Sequence, residues 1–274
     1  MHVILLLQRL NEIAGAVSAR PHGLALLGLG SVGRERERLD EWSDLDFFVL
    51  VEPGTKAHWL DDLTWLTDLA PVTFAFRNTR DGYKLLFDDG VLCEFAVFEP
   101  QEMPSITFAP GKVVWARADV DPALLDPAPG QDGSPSADSG SEADPGAAGE
   151  AIDMAWEVGE ALTNLWVGLV RFHRGERLSA ARFVQGHAVD RVLRIAAHLG
   201  PTSDVVADPF SPERRAEGRL PGLAPLLPSL VQGYDRTPES ARAVLDFLDA
   251  YVEVPDGMRD ALQRLCERPT TVQR

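Results

Sequence analysis

Residues 126 to 150 cut this chain in two. Pro, Gly, Ser, Ala and Asp dominate the stretch, and no large apolar side chain occurs in it. Such a composition cannot bury enough surface to offset the entropy of ordering it, so it reads as a flexible acidic linker. At 274 residues the chain has material for two cores, and the hydrophobic period differs on the two sides of the linker. The expected organisation is a first domain over 1–125, the linker over 126–150, and a second domain over 151–274.

The first side mixes helix and strand signals. Ile4, Leu7, Leu10, Ile13 and Val17 recur at helical spacing and predict a helix over 3–19, which Pro21 and Gly23 end. Apolar runs of strand length follow at 24–29, 45–51, 72–77, 83–87, 92–98 and 112–117, with a second helix expected over 57–68. Asp88-Asp89-Gly90 has the chemistry of a hairpin turn with a positive φ. Beyond the linker the period is helical throughout. Ala155, Val158, Leu162, Leu165, Trp166 and Leu169 form one stripe on a long helix, Arg174-Gly175-Glu176 breaks it, and another helix runs to about Leu199. Two more helices are expected near 238–252 and 256–267. The fold class is thus α/β (α+β): a mixed-sheet domain followed by an all-helical one.

The chemistry is concentrated between the first two strands. Gly30-Ser31 leaves a strand as a turn whose backbone N–H groups and hydroxyl suit phosphate oxygens, and Gly30 permits close approach of a ligand. Asp44 and Asp46 stand two apart at the start of the next strand, so both carboxylates project from one face. Two hard oxygen ligands suit Mg²⁺, which takes one or two carboxylates together with substrate phosphates. Like charges this close also repel unless a cation lies between them. Glu94 interrupts the apolar run from Val91 to Phe98. A carboxylate at the middle of a strand is costly unless paired or metal-bound, so Glu94 either completes the metal site or takes a proton from an acceptor hydroxyl. Arg34, with Arg36 and Arg38, either binds phosphate or decorates a helix surface.

Composition narrows the partners. The net charge of −16, from 26 basic and 42 acidic residues, disfavours nucleic acid and suits a cationic small molecule. No apolar run reaches the roughly 20 residues needed to cross a bilayer. The N-terminus lacks a basic leader region, which makes the cytoplasm the expected location. Cys93 and Cys266 are far apart and build neither a disulfide framework nor a zinc site.

Gly30-Ser31 followed by Asp44-Leu45-Asp46 resembles the hallmark of the nucleotidyltransferase superfamily, and within it the lincosamide nucleotidyltransferases, a group of antibiotic-modifying enzymes. The resemblance extends to Trp65 through Pro71, Phe87-Asp88-Asp89, Glu94-Phe95, Asn164-Leu165-Trp166 and Arg174-Gly175-Glu176. It covers most of residues 24–200 apart from the linker. It implies Mg²⁺ on Asp44 and Asp46, and an NTP (ATP or GTP) held at Gly30 and Ser31; the arginine-rich segment departs from the family pattern, and Arg34 is its candidate phosphate contact. The resemblance further implies Glu94 in catalysis with the Asp pair, a lincosamide acceptor and a homodimer. An aminoglycoside or protein side chain as acceptor, or a non-catalytic nucleotide-binding module, are the alternatives within the same fold.

Two helical faces complete the sequence reading. His187, Arg191, Arg194 and His198 fall on one face and are expected to form a solvated basic surface rather than a phosphate site. Glu157, Glu160, Asn164 and Arg171 are placed opposite the apolar stripe of the long helix, with Glu160 expected as a surface acid.

Overall fold

The structure is a computed structural model describing residues 2–108, 111–125, 152–200, 203, 205, 208 and 211–269. Two compact units divide the chain, Met1–Ala143 and Asp144–Arg274. The expected linker, 126–150, lies outside the described residues.

The first unit opens with α1 (His2–Ala19), whose buried stripe is Leu6, Leu10, Ile13, Ala14 and Val17. The stripe is rotated from the sequence expectation: Ile4 is 72% exposed, because Leu6 and Ala14 complete the i, i+4, i+7 face that meets the sheet. Strands β1 (Gly23–Gly28) and β2 (Leu45–Val51) follow. The helix expected over 57–68 is two short ones, α2 (Lys56–Asp61) and α3 (Thr64–Thr67). Asp62 causes the break: it is extended, its carboxylate accepts from Thr64 N at 3.0 Å, and Arg20 holds it at 2.7 Å. A short polar side chain that bonds its own backbone competes with helix continuation. Then come β3 (Val72–Thr79), β4 (Gly82–Phe87), β5 (Leu92–Phe98) and β6 (Lys112–Ala116). Gly90, at φ +86°, closes the expected β4–β5 hairpin.

The six strands form one mixed sheet in the order β3-β4-β5-β2-β1-β6. Only β2 and β5 pair in parallel; every other neighbouring pair is antiparallel. Leu45, Phe47, Val49, Cys93, Phe95 and Val97 face the core shared with α1, Trp59 and Trp65. Cys93 is a fully buried small hydrophobe there. On the opposite face, Leu50 and Phe98 pack with Leu27, Met103, Phe108 and Leu125 at one end. The other end of that face is polar, and it carries the site.

The second unit is helical. Asp153 caps α4 (Met154–Arg174) by accepting from Trp156 N at 3.0 Å, and Gly175, at φ +93°, ends it. Next, α5 (Arg177–Arg182), a π-helical stretch Phe183–Ala188 and α6 (Val189–Leu199) succeed one another without a turn between them. Gly168 of α4 admits this rod closely, since a Cβ there would lie 2.5 Å from Val184 Cγ2. Two short helices, α7 (Ala216–Arg219) and α8 (Leu227–Leu230), precede α9 (Thr237–Tyr251) and α10 (Asp256–Glu267).

Glu157 departs from its expected polar face. It is 2% exposed and pairs with Arg191 at 3.3 Å and Arg194 at 3.5 Å. The arginines of the expected solvated face therefore turn inward to a buried acid, while His187 and His198 remain exposed. Burying that carboxylate requires these partners. Among the described residues no helix is long and apolar enough to cross a membrane.

Candidate active site

The site is built where β1 ends, β2 begins and β5 and β4 run alongside. Leu29 N donates to Asp46 O at 2.8 Å, so the turn after β1 is fastened to β2 at the second aspartate. Gly30 sits at φ +48°, in the left-handed region that favours glycine. Val32 N and Gly33 N close the turn on Leu29 O at 3.1 and 2.9 Å. The N–H groups of Gly30 and Ser31 and the Ser31 hydroxyl take no acceptor among the described residues. A Cβ placed on Gly30 would lie 3.5 Å from Asp46 Oδ2, so the turn and this carboxylate are immediate neighbours.

A second turn delivers the aspartate pair. Asp40 accepts from Trp42 N at 2.9 Å and from the Ser43 hydroxyl at 3.2 Å, and Asp40 N donates to Ser43 Oγ at 3.1 Å. This side-chain turn directs the chain into β2 with Asp44 and Asp46 on the face away from α1. The segment between Gly33 and Asp40 holds a 3₁₀ turn, Arg36–Arg38, rather than an α-helix. Arg34 donates Nε to Gly111 O at 2.9 Å and so ties this segment to the start of β6.

Register completes the arrangement. Asp46 is the direct partner of Glu94 across the parallel β2–β5 pair, and Glu94 the direct partner of Lys84 across the antiparallel β5–β4 pair. Direct partners share a face with Cβ atoms about 5 Å apart. Asp46, Glu94 and Lys84 therefore form one row across three strands. Asn78, near the end of β3, donates Nδ2 to Glu94 Oε1 at 2.9 Å.

Electrostatics in the row are strained. Burial pushes the Asp46 carboxyl well above its ordinary value of 3.8; the charges of Asp44 and Glu94 push it further, and Lys84 pulls it back. Asp44, Asp46 and Glu94 thus gather three acids with Lys84 beside a turn that offers N–H donors. The donor set suits a hard divalent cation, which Asp44 and Asp46 would hold. Among the described residues no group of three or more His, Cys, Asp or Glu side chains is arranged around a single metal position.

The structure brings Gly30, Asp46 and Glu94 together, with Ser31 beside Gly30 and Asp44 beside Asp46. Arg34 is placed at the Gly111 contact. Sequence reasoning missed Lys84 and Asn78. A lysine inside Tyr83-Lys84-Leu85 reads as an ordinary solvent-facing strand position, and only the strand order puts it beside Glu94.

No protein-family model matches the chain, and no curated protein matches it either. Among solved structures it is similar to an aminoglycoside 6-adenyltransferase from Bacillus subtilis, with 12% identity over 93% of this chain and 95% of that one and a TM-score of 0.31.

Proposed function

We propose that this chain is a metal-assisted nucleotidyltransferase, moving a nucleoside monophosphate from an NTP to a hydroxyl group. The observation that carries the reading is the Asp46–Glu94 pair in one row beside the unengaged donors of the Gly30-Ser31 turn. The sequence motifs beyond that hallmark favour a lincosamide antibiotic as the acceptor.

In this reading the Gly30 and Ser31 N–H groups and the Ser31 hydroxyl hold phosphate oxygens, a role that backbone donors of a turn fill without reorganisation. Mg²⁺ on Asp44 and Asp46 would supply charge neutralisation for the triphosphate. Glu94 accepts the proton of the acceptor hydroxyl. The freed oxygen forms a bond to the α-phosphorus as the bond to pyrophosphate breaks. Lys84, next along the row, keeps Glu94 and Asp46 from repelling each other and an anionic ligand without relief. Positioning and charge placement account for the rate, since the protein forms no covalent bond itself.

The test is mass spectrometry of lincomycin, clindamycin and a panel of aminoglycosides incubated with the protein, Mg²⁺ and mixed NTPs. A nucleoside-monophosphate adduct on a lincosamide that disappears with Asp44→Asn is the expected result. Adducts on an aminoglycoside alone would move the acceptor, and undiminished transfer by Asp44→Asn would remove the metal assignment.

A further inference from the structure

The row next to the acids is apolar and half-exposed, although it lies at the centre of the sheet. Strand alternation puts Phe48 and Leu50 on the face of Asp46, and Ala96 and Phe98 on the face of Glu94. Register then sets three rows along β2 and β5: Asp46 with Glu94, Phe48 with Ala96, and Leu50 with Phe98. Leu50 and Phe98 are buried, whereas Phe48 and Ala96 are half-buried. β2 and β5 are the two central strands of six. On their α1 face, Phe47, Val49, Phe95 and Val97 are at most 2% exposed. Exposed apolar surface in the middle of a sheet, bordered by a few convergent polar groups, is the make-up of a small-molecule site.

The shape of this row is set by three residues. The Phe48 ring meets Phe98 edge-on at 4.9 Å and Phe108 at 5.5 Å, so two neighbours fix its plane. Ala96 brings only a methyl group, and Gly82, its direct partner on β4, brings no side chain. The floor beyond Glu94 is therefore low, with Phe48 standing at its β2 edge. Lateral order decides which substrate reaches it. The Gly30-Ser31 turn follows β1 and borders Asp46, while β5 lies on the far side of β2. Phosphates held at that turn leave the β5 side to the acceptor. Ala96 is about 7 Å along the strand from Glu94, so a hydroxyl brought to Glu94 carries its neighbouring carbons over Ala96. We infer that Ala96 and Phe48 are specificity-determining residues that receive an apolar part of the acceptor next to the hydroxyl that reacts. The inference rests on the nucleotidyltransferase reading above and adds an amphipathic acceptor to it.

Steady-state kinetics with two acceptors test it: lincomycin, which carries alkyl groups, and kanamycin, which is covered in amines and hydroxyls. The wild-type protein is expected to show the lower KM with lincomycin. Ala96→Leu fills the low floor and is expected to raise KM for lincomycin on the order of 10-fold or more. Ala96→Ser is nearly isosteric, places a hydroxyl against the apolar group, and is expected to raise that KM severalfold. KM for the NTP stays within about twofold in both variants, which also reports that they are folded. An unchanged KM for lincomycin in Ala96→Leu would overturn the inference alone. Should that variant not fold, an unchanged KM in Ala96→Ser would do the same. A rise confined to KM for the NTP would put the nucleobase on this floor and overturn it as well, as would wild-type transfer to kanamycin and not to lincomycin. Absence of transfer to either drug by the wild-type protein would remove the underlying reading and the inference with it.

Discussion

At the scale of the residue, Asp46 sets folding against the proposed function. Its pKa is raised by burial first and then by Asp44 and Glu94, against a smaller opposing pull from Lys84. A carboxylate whose folded pKa exceeds its unfolded one costs stability when ionised. Below the ordinary value of 3.8 it is protonated in both states and the cost is absent. The cost grows as pH rises from there through the raised folded pKa, and is complete above it. Asp46→Asn is therefore expected to raise the thermal midpoint at neutral pH by a few degrees and to reduce transfer on the order of 100-fold or more. Its stability gain should shrink as pH falls towards 4. A midpoint lowered at pH 7.5, read by scanning calorimetry without metal, would show that Asp46 is compensated by its neighbours. The same residue shows how much chemistry was legible in the sequence. Asp44, Asp46 and Glu94 stood out as candidate residues because a charge within or beside a strand-like apolar run is conspicuous on its own. Asn78 and Lys84 were not, since each is unremarkable locally and acquires meaning from a strand that lies elsewhere in the chain.

At the scale of the element, the strands and long helices followed from period alone, with ends within a few residues: β2 and β5 have the expected limits, and α4 ends at the expected glycine. What period does not encode is competition from single side chains and the rotation of a face. Asp62 divides α2 from α3 by bonding Thr64 N, and α1 turns Leu6 inward in place of Ile4. Glu157 on α4 belongs to the same class of surprise. A glutamate beside an apolar stripe reads as solvated, yet here it is buried between two arginines of α6, with Arg191 also lying over the Trp156 ring at 5.2 Å. This pairing fixes α6 on α4 at a defined rotation. Removing one partner leaves buried charge without compensation, so Glu157→Ala is expected to destabilise the second unit by about 3 kcal/mol or more. Urea denaturation followed by helical circular dichroism measures this. A loss below about 1 kcal/mol would place the pair with surface ion pairs, which contribute little.

At the scale of the whole molecule, charge sets a problem that no single residue reveals. The chain carries a net charge of −16, while one proposed substrate, a metal-bound triphosphate, is itself anionic. Long-range repulsion must slow its arrival, and the Gly30-Ser31 donors act only after contact. A cationic acceptor experiences the same field with the opposite sign and is drawn in. Salt separates the two, because the screening length falls from about 30 Å at 0.01 M to about 10 Å at 0.1 M ionic strength. At fixed Mg²⁺, raising ionic strength over that range is expected to lower KM for the NTP severalfold and to raise KM for the acceptor severalfold. The changes should lie in association rates, with turnover at saturation little affected. Steady-state kinetics with each substrate varied in turn reads both. If KM for the acceptor also fell with salt, the acceptor would be an anion rather than a cation. A basic antibiotic would then be ruled out as the substrate, whichever hydroxyl the row of Asp46 and Glu94 addresses.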